Sequence, residues 1–63
     1  MEIKCCKCGN KMALEDQEVL HKRCGNYNQW NICDDCNVSA FARIRGGKIR
    51  SIEYRTFEGE SLK

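Results

Sequence analysis

Cys33-Asp34-Asp35-Cys36-Asn37-Val38-Ser39-Ala40-Phe41-Ala42-Arg43-Ile44-Arg45-Gly46-Gly47-Lys48-Ile49-Arg50-Ser51-Ile52 is the stretch on which the fold turns. It admits two readings. As a helix over 34–45 it places Asp34 and Asp35 in the first turn, where the macrodipole favours anions. Val38, Phe41 and Ala42 then share one face, Arg43 and Arg45 fall in the last turn, and Gly46 supplies a left-handed cap. As a hairpin, 41–45 pairs with 48–52 across Gly46-Gly47 in a type I′ turn. The charge placement at both ends favours the helix, which is the expectation tested below. In either reading Gly46-Gly47 is a sharp reversal.

Outward from that stretch the elements are short. Trp30-Asn31-Ile32 alternates apolar and polar directly before Cys33, as a strand delivering a ligand pair does. Residues 12–20 read as two strand ends, with Met12, Leu14, Val19 and Leu20 flanking a polar turn at Glu15-Asp16-Gln17-Glu18. Residues 49–57 are rich in β-branched and aromatic side chains and read as a C-terminal strand. There is no Pro and no linker-like stretch, so residues 1–57 form one domain and 58–63 a short flexible tail.

Sixty-three residues make a core too small to stand alone, and the six cysteines supply the missing staple. No signal peptide precedes them, so the expected staple is a metal in a cytoplasmic protein rather than a set of disulfides. Two C-x-x-C pairs, Cys5/Cys8 and Cys33/Cys36, are separated by residues 9–32. A two-residue gap lets both sulfurs of a tight turn face one ion, and two such turns complete a tetrahedron suited to one Zn²⁺ per chain. Gly9 suits the first turn because it tolerates positive φ. Cys6, Cys24 and His21 are the alternative ligands. Cys5-Cys6-Lys7-Cys8-Gly9-Asn10 is echoed by His21-Lys22-Arg23-Cys24-Gly25-Asn26, a similarity that bears on ligand choice and not on a repeat fold.

Cys-x-x-Cys-Gly followed by Ile32-Cys33-Asp34-Asp35-Cys36 and an amphipathic stretch resembles the treble-clef zinc fingers, in particular the zinc-binding domain of the Clp unfoldase and the Gin-type anti-sigma proteins. The resemblance covers residues 5–45. It implies a small metal-stabilised α+β fold with two Cys knuckles, a short β-hairpin, one helix and a C-terminal strand. A zinc ribbon is the alternative architecture. The relatives are protein-interaction modules, sometimes dimeric, so the resemblance implies a regulatory module in the transcription or proteolysis machinery and admits a homodimer. A rubredoxin-like iron electron carrier is a further alternative, although Asn37 stands where rubredoxins carry Gly and no Pro is present.

A closed four-Cys site leaves no position for an activated water, and one His cannot build a nuclease, so no enzyme is expected. The formal charge of +2 falls to about zero once four thiolates and one Zn²⁺ are counted. Residues 41–57 keep a local +4, and Arg43, Arg45, Lys48 and Arg50 form the basic corner on which nucleic acid would bind. Trp30 and Phe41, with Tyr27 and Phe57 as further aromatics, are the expected protein contacts. A protein partner is favoured over nucleic acid, and no membrane is expected.

Overall fold

The computed structural model describes residues 2–62 as a five-stranded antiparallel sheet in which every strand pairs with the next in sequence. The strands are β1 (Ala13–His21), β2 (Asn26–Cys33), β3 (Val38–Arg45), β4 (Lys48–Thr56) and the two-residue β5 (Ser61–Leu62). There is no helix among the described residues. The α+β treble-clef expectation and its helix over 34–45 are therefore overturned, and the architecture is all-β.

The backbone explains the correction. Asn37, directly after the second knuckle, has φ 54°, which stops any helix from starting there. Gly46 and Gly47 have φ 63° and 75°, the pair of positive values that a type I′ hairpin turn requires. Ile44 accordingly lies opposite Ile49. Between these turns β3 alternates strictly, with Val38, Ala40, Ala42 and Ile44 buried and Ser39, Phe41, Arg43 and Arg45 on the other face. Residues 12–20 are corrected in the same way: Glu15-Asp16-Gln17-Glu18 is the exposed middle of the continuous strand β1 and not a turn. Bulges fall between Leu14 and Asp16 and between Val19 and His21. Residues 49–57 are a strand as far as Thr56, as expected. Ser61 and Leu62 of the segment read as a tail pair with Arg55 and Tyr54, and Lys63 lies outside the described residues.

One face of the sheet is closed by the N-terminal residues. Ile3 C=O accepts the Met12 N–H at 2.8 Å, Lys4 bridges Lys11, and Asn10 C=O accepts the Cys5 N–H at 2.9 Å. This small antiparallel loop puts Ile3 and Met12 into the core with Val38, Ala40, Ala42 and Ile44. Two side chains tie it to the sheet. Asn31 Nδ2 donates to Met12 C=O at 3.4 Å, and the Tyr54 hydroxyl donates to Lys4 C=O at 2.9 Å. Asn31 is itself buried, and its Oδ1 accepts from buried Gln29 Nε2 at 2.7 Å, so the polar pair beneath the loop is satisfied.

The opposite, outer face has no such cover. The pairings Trp30↔Phe41 and Asp16↔Trp30 place these three residues side by side across β1, β2 and β3.

Candidate metal centre

The first knuckle, Cys5 to Gly9, is the tip of the N-terminal loop, and the second, Cys33 to Asn37, is the β2–β3 connection. Pairing of 3–5 with 10–12 delivers the first to the end of the sheet where β2 finishes. The Met12 and Lys4 anchors hold it there. The second knuckle is braced from behind, since Asn37 C=O accepts the Phe57 N–H at 3.0 Å. The turn following β4 closes on itself through Thr56 N–H to Glu60 C=O at 2.8 Å.

The Sγ atoms of Cys5, Cys8, Cys33 and Cys36 all lie within 4.8 Å of one another, and this group can hold a metal ion. Cys8 Sγ is 3.7 Å from Cys33 Sγ. Sulfurs held at about 2.3 Å around a tetrahedral ion are about 3.8 Å apart, so this pair already has the spacing of a tetrahedron edge. All four are free thiols, with Cys5 and Cys33 buried and Cys8 the member open to solvent. The donor set is purely thiolate, which selects soft or borderline ions over Mg²⁺ or Ca²⁺.

The electrostatics of the turns favour thiolate at Cys5. The N–H of Cys8 donates toward its sulfur, burial opposes this, and the N–H of Lys7 adds a contact at 3.4 Å; together they bring the Cys5 thiol down to about 7. Cys36 is pushed up to about 12, first by the neighbouring Cys8 sulfur and then by burial and by the sulfurs of Cys5 and Cys33. At Cys33 the N–H of Cys36 lowers the pKa, but burial and the Cys8 and Cys5 sulfurs outweigh it and leave it raised. Four thiolates crowd one another without a cation, and a divalent ion resolves that repulsion. Nearby, burial followed by the charges of Cys6 and Cys5 raises the pKa of Tyr54, so its hydroxyl stays a donor to Lys4 C=O.

The remaining sequence candidates are distributed elsewhere. Cys6 is exposed within the first knuckle and is not in the sulfur group. His21 and Cys24 flank the β1–β2 turn, at the other end of β2 and about 25 Å along the strand from Cys33. Trp30 and Phe41 stack on the outer face with ring centroids 4.9 Å apart and planes tilted by 38°. Arg43 joins them, its Cζ lying 5.4 Å from the centre of the Phe41 ring. Of the basic corner, Arg45 and Lys48 are partners across the β3–β4 turn. Arg45 Nη1 is engaged by Ile44 C=O at 2.7 Å and by Tyr27 C=O and Asn28 Oδ1 at 3.2 Å each. Lys48 is exposed beside the turn, and Arg50 sits at the β4 bulge. Tyr27 packs against the core, whereas Phe57 is exposed.

Sequence reasoning missed Ile3 and the Gln29–Asn31 pair and placed Met12 only as a strand end, whereas together they position the first knuckle. The alternation of Gln29, Asn31 and Cys33 along β2 is the local signal that one face of this strand points inward. No family model, curated protein or solved structure matches the chain, so neither the treble-clef nor the zinc-ribbon resemblance gains support. What characterises the chain is the centre itself, four cysteines from two knuckles gathered where one metal ion can be held.

Proposed function

We propose that the protein is a zinc-stabilised, non-catalytic module of the reducing cytoplasm that regulates a protein partner by docking it on the outer face of the sheet. The observation that carries this reading is the separation of the sulfur group, at one end of the sheet, from the aromatic pair on its outer face. The four sulfurs can hold one ion, and four thiolates around a tetrahedral ion would leave no coordination position for a reacting water. The stacked Trp30–Phe41 pair with Arg43 lies on the uncovered face and takes no part in the sulfur group. Trp, Phe and Arg are the residue types that dominate interface energetics.

The same face argues against a polyanion. Glu18 accepts from Asn28 Nδ2 at 3.1 Å, Asp16 lies opposite Trp30, and Glu53 pairs with Arg55, so acidic groups interleave with the basic ones. Arg45 is already committed to backbone and Asn28 acceptors.

The test is to immobilise the zinc-loaded chain, identify what it retains from extract of its native host, and measure the affinity of the isolated partner. Trp30→Ala is expected to weaken binding about 30-fold or more, with little dependence on salt. Nucleic-acid binding that is indifferent to Trp30→Ala would overturn the reading, above all if the slope of log affinity against log salt is near the −3.6 expected for about four phosphates.

A further inference from the structure

Three turns in this chain share one construction. Each begins with a residue able to ligate a metal, continues through two residues to a cysteine, and is followed by a residue at positive φ: Gly9 at 74°, Gly25 at 69° and Asn37 at 54°. Two of the three, Cys5–Cys8 and Cys33–Cys36, meet in the sulfur group. The third is His21–Cys24, and it has no counterpart to meet. In the first turn the Lys7 N–H points at Cys5 Sγ from 3.4 Å; in the third, the Cys24 N–H points at His21 Nδ1 from 3.3 Å. In both turns the leading ligand atom thus accepts from a backbone N–H of its own turn.

We propose that His21 and Cys24 are half of a second metal site, completed by the same two residues of a second copy of this chain. The site is of His2Cys2 type and suits a borderline divalent cation such as Zn²⁺ or Co²⁺.

Several features support this assignment. Both side chains are exposed at the tip of the β1–β2 hairpin, where another molecule can reach them. The turn is held rigidly from below. Gly25 C=O accepts the Gly47 N–H at 3.1 Å, and Asn26 Oδ1 accepts the Gly46 N–H at 3.0 Å. A Cβ on Gly25 would come within 2.7 Å of Gly47 N, so glycine is required at this close approach between the two hairpin tips. Such preorganisation is what a ligand pair needs.

Completion within one chain is ruled out by distance, because the other cysteines lie at the far end of β2 or in the first knuckle. A two-fold axis through the ion supplies the missing two ligands, just as the Cys5 and Cys33 turns complete each other within the chain. On binding, each Cys24 thiol gives its proton to solvent, and the ion takes the Nδ1 lone pair in place of the 3.3 Å hydrogen bond. The two thiolates balance the divalent charge.

The experiment uses the full chain carrying one equivalent of Zn²⁺, in a phosphine reductant that prevents disulfides. It is titrated with Co²⁺ while absorption and sedimentation are followed. The expected result is a further half-equivalent of metal per chain, a cobalt spectrum of mixed nitrogen and sulfur ligation, and conversion of monomer to dimer that a chelator reverses. His21→Ala and Cys24→Ala should each abolish the extra half-equivalent and the dimer while keeping the first equivalent and the fold. Saturation at one equivalent as a monomer would overturn the proposal. So would a second full equivalent bound without dimerisation, or a dimer that persists in Cys24→Ala. None of these outcomes depends on whether the outer face docks a partner.

Discussion

Stripping the metal from the loaded protein is expected to unfold it. The buried apolar core contains only four large side chains among the described residues, Ile3, Met12, Val38 and Ile44. Each contributes about 1.5–3 kcal/mol. The other buried apolar positions are two alanines and Cys5 and Cys33 of the sulfur group. A structural zinc would contribute about 10–16 kcal/mol, whereas the whole stability of a typical domain is about 5–15 kcal/mol, so the metal-free chain is expected to fall below the folding threshold.

A chelator should therefore abolish the strand signal in circular dichroism, and zinc should restore it. Cys33→Ser should mimic the chelator, while Cys6→Ser, at an exposed thiol outside the sulfur group, should not. Acid should act in the same direction. Binding requires all four thiols deprotonated, and Cys36 and Cys33, raised in the metal-free site, hold their protons most firmly. Falling pH thus favours metal release and unfolding, and excess zinc should move that transition to lower pH. A chelated chain that keeps its circular dichroism would contradict the account.

Ile44→Ala is the substitution with the next largest expected effect. Ile44 is 0% exposed and lies at the end of β3 remote from the metal, opposite Tyr27 on one side and Ile49 on the other. Truncating a buried Ile to Ala leaves a cavity and costs about 2–5 kcal/mol. In a domain of this size that lowers the melting temperature by about 10 °C or more. The measurement is thermal unfolding with zinc in excess, so that metal affinity does not confound it. Leu14→Ala, at a position 58% exposed on β1, should stay within about 0.5 kcal/mol of the parent. Equal losses at the two positions would show that the inward face of β3 has been misassigned.

The cysteine knuckles were legible because their spacing is set by coordination chemistry within four residues, independent of the surrounding fold. The 38–52 segment was misread because its local signals conflict. Ala40, Ala42 and the charges at either end favour a helix. Yet a 3.6-residue period from Val38 runs through Phe41 and Ala42 to Arg45, whereas a period of two collects Val38, Ala40, Ala42 and Ile44, all apolar and all buried. The consecutive glycines, each at positive φ, agreed with the second pattern.

The centre of strand β1 was read as a turn between two strand ends because it is polar and solvent-exposed on both faces, and an edge strand of that kind carries almost no hydrophobic pattern. The N-terminal loop was missed for a different reason. Burial of Ile3 and Met12 depends on Tyr54, 50 residues beyond Lys4, and on Asn31, 19 beyond Met12, which no local pattern encodes. The meeting of Trp30 with Phe41 likewise depends on the β2–β3 register.

X-ray absorption at the metal edge, on protein loaded with one equivalent of zinc, tests the central claim most directly. The account predicts four sulfur neighbours at about 2.3 Å and no nitrogen or oxygen. It also predicts loss of that shell in Cys5→Ser, Cys8→Ser, Cys33→Ser and Cys36→Ser, but not in Cys6→Ser or Cys24→Ser. A nitrogen-containing shell at this loading would contradict the account, as would iron in place of zinc in protein purified from its host.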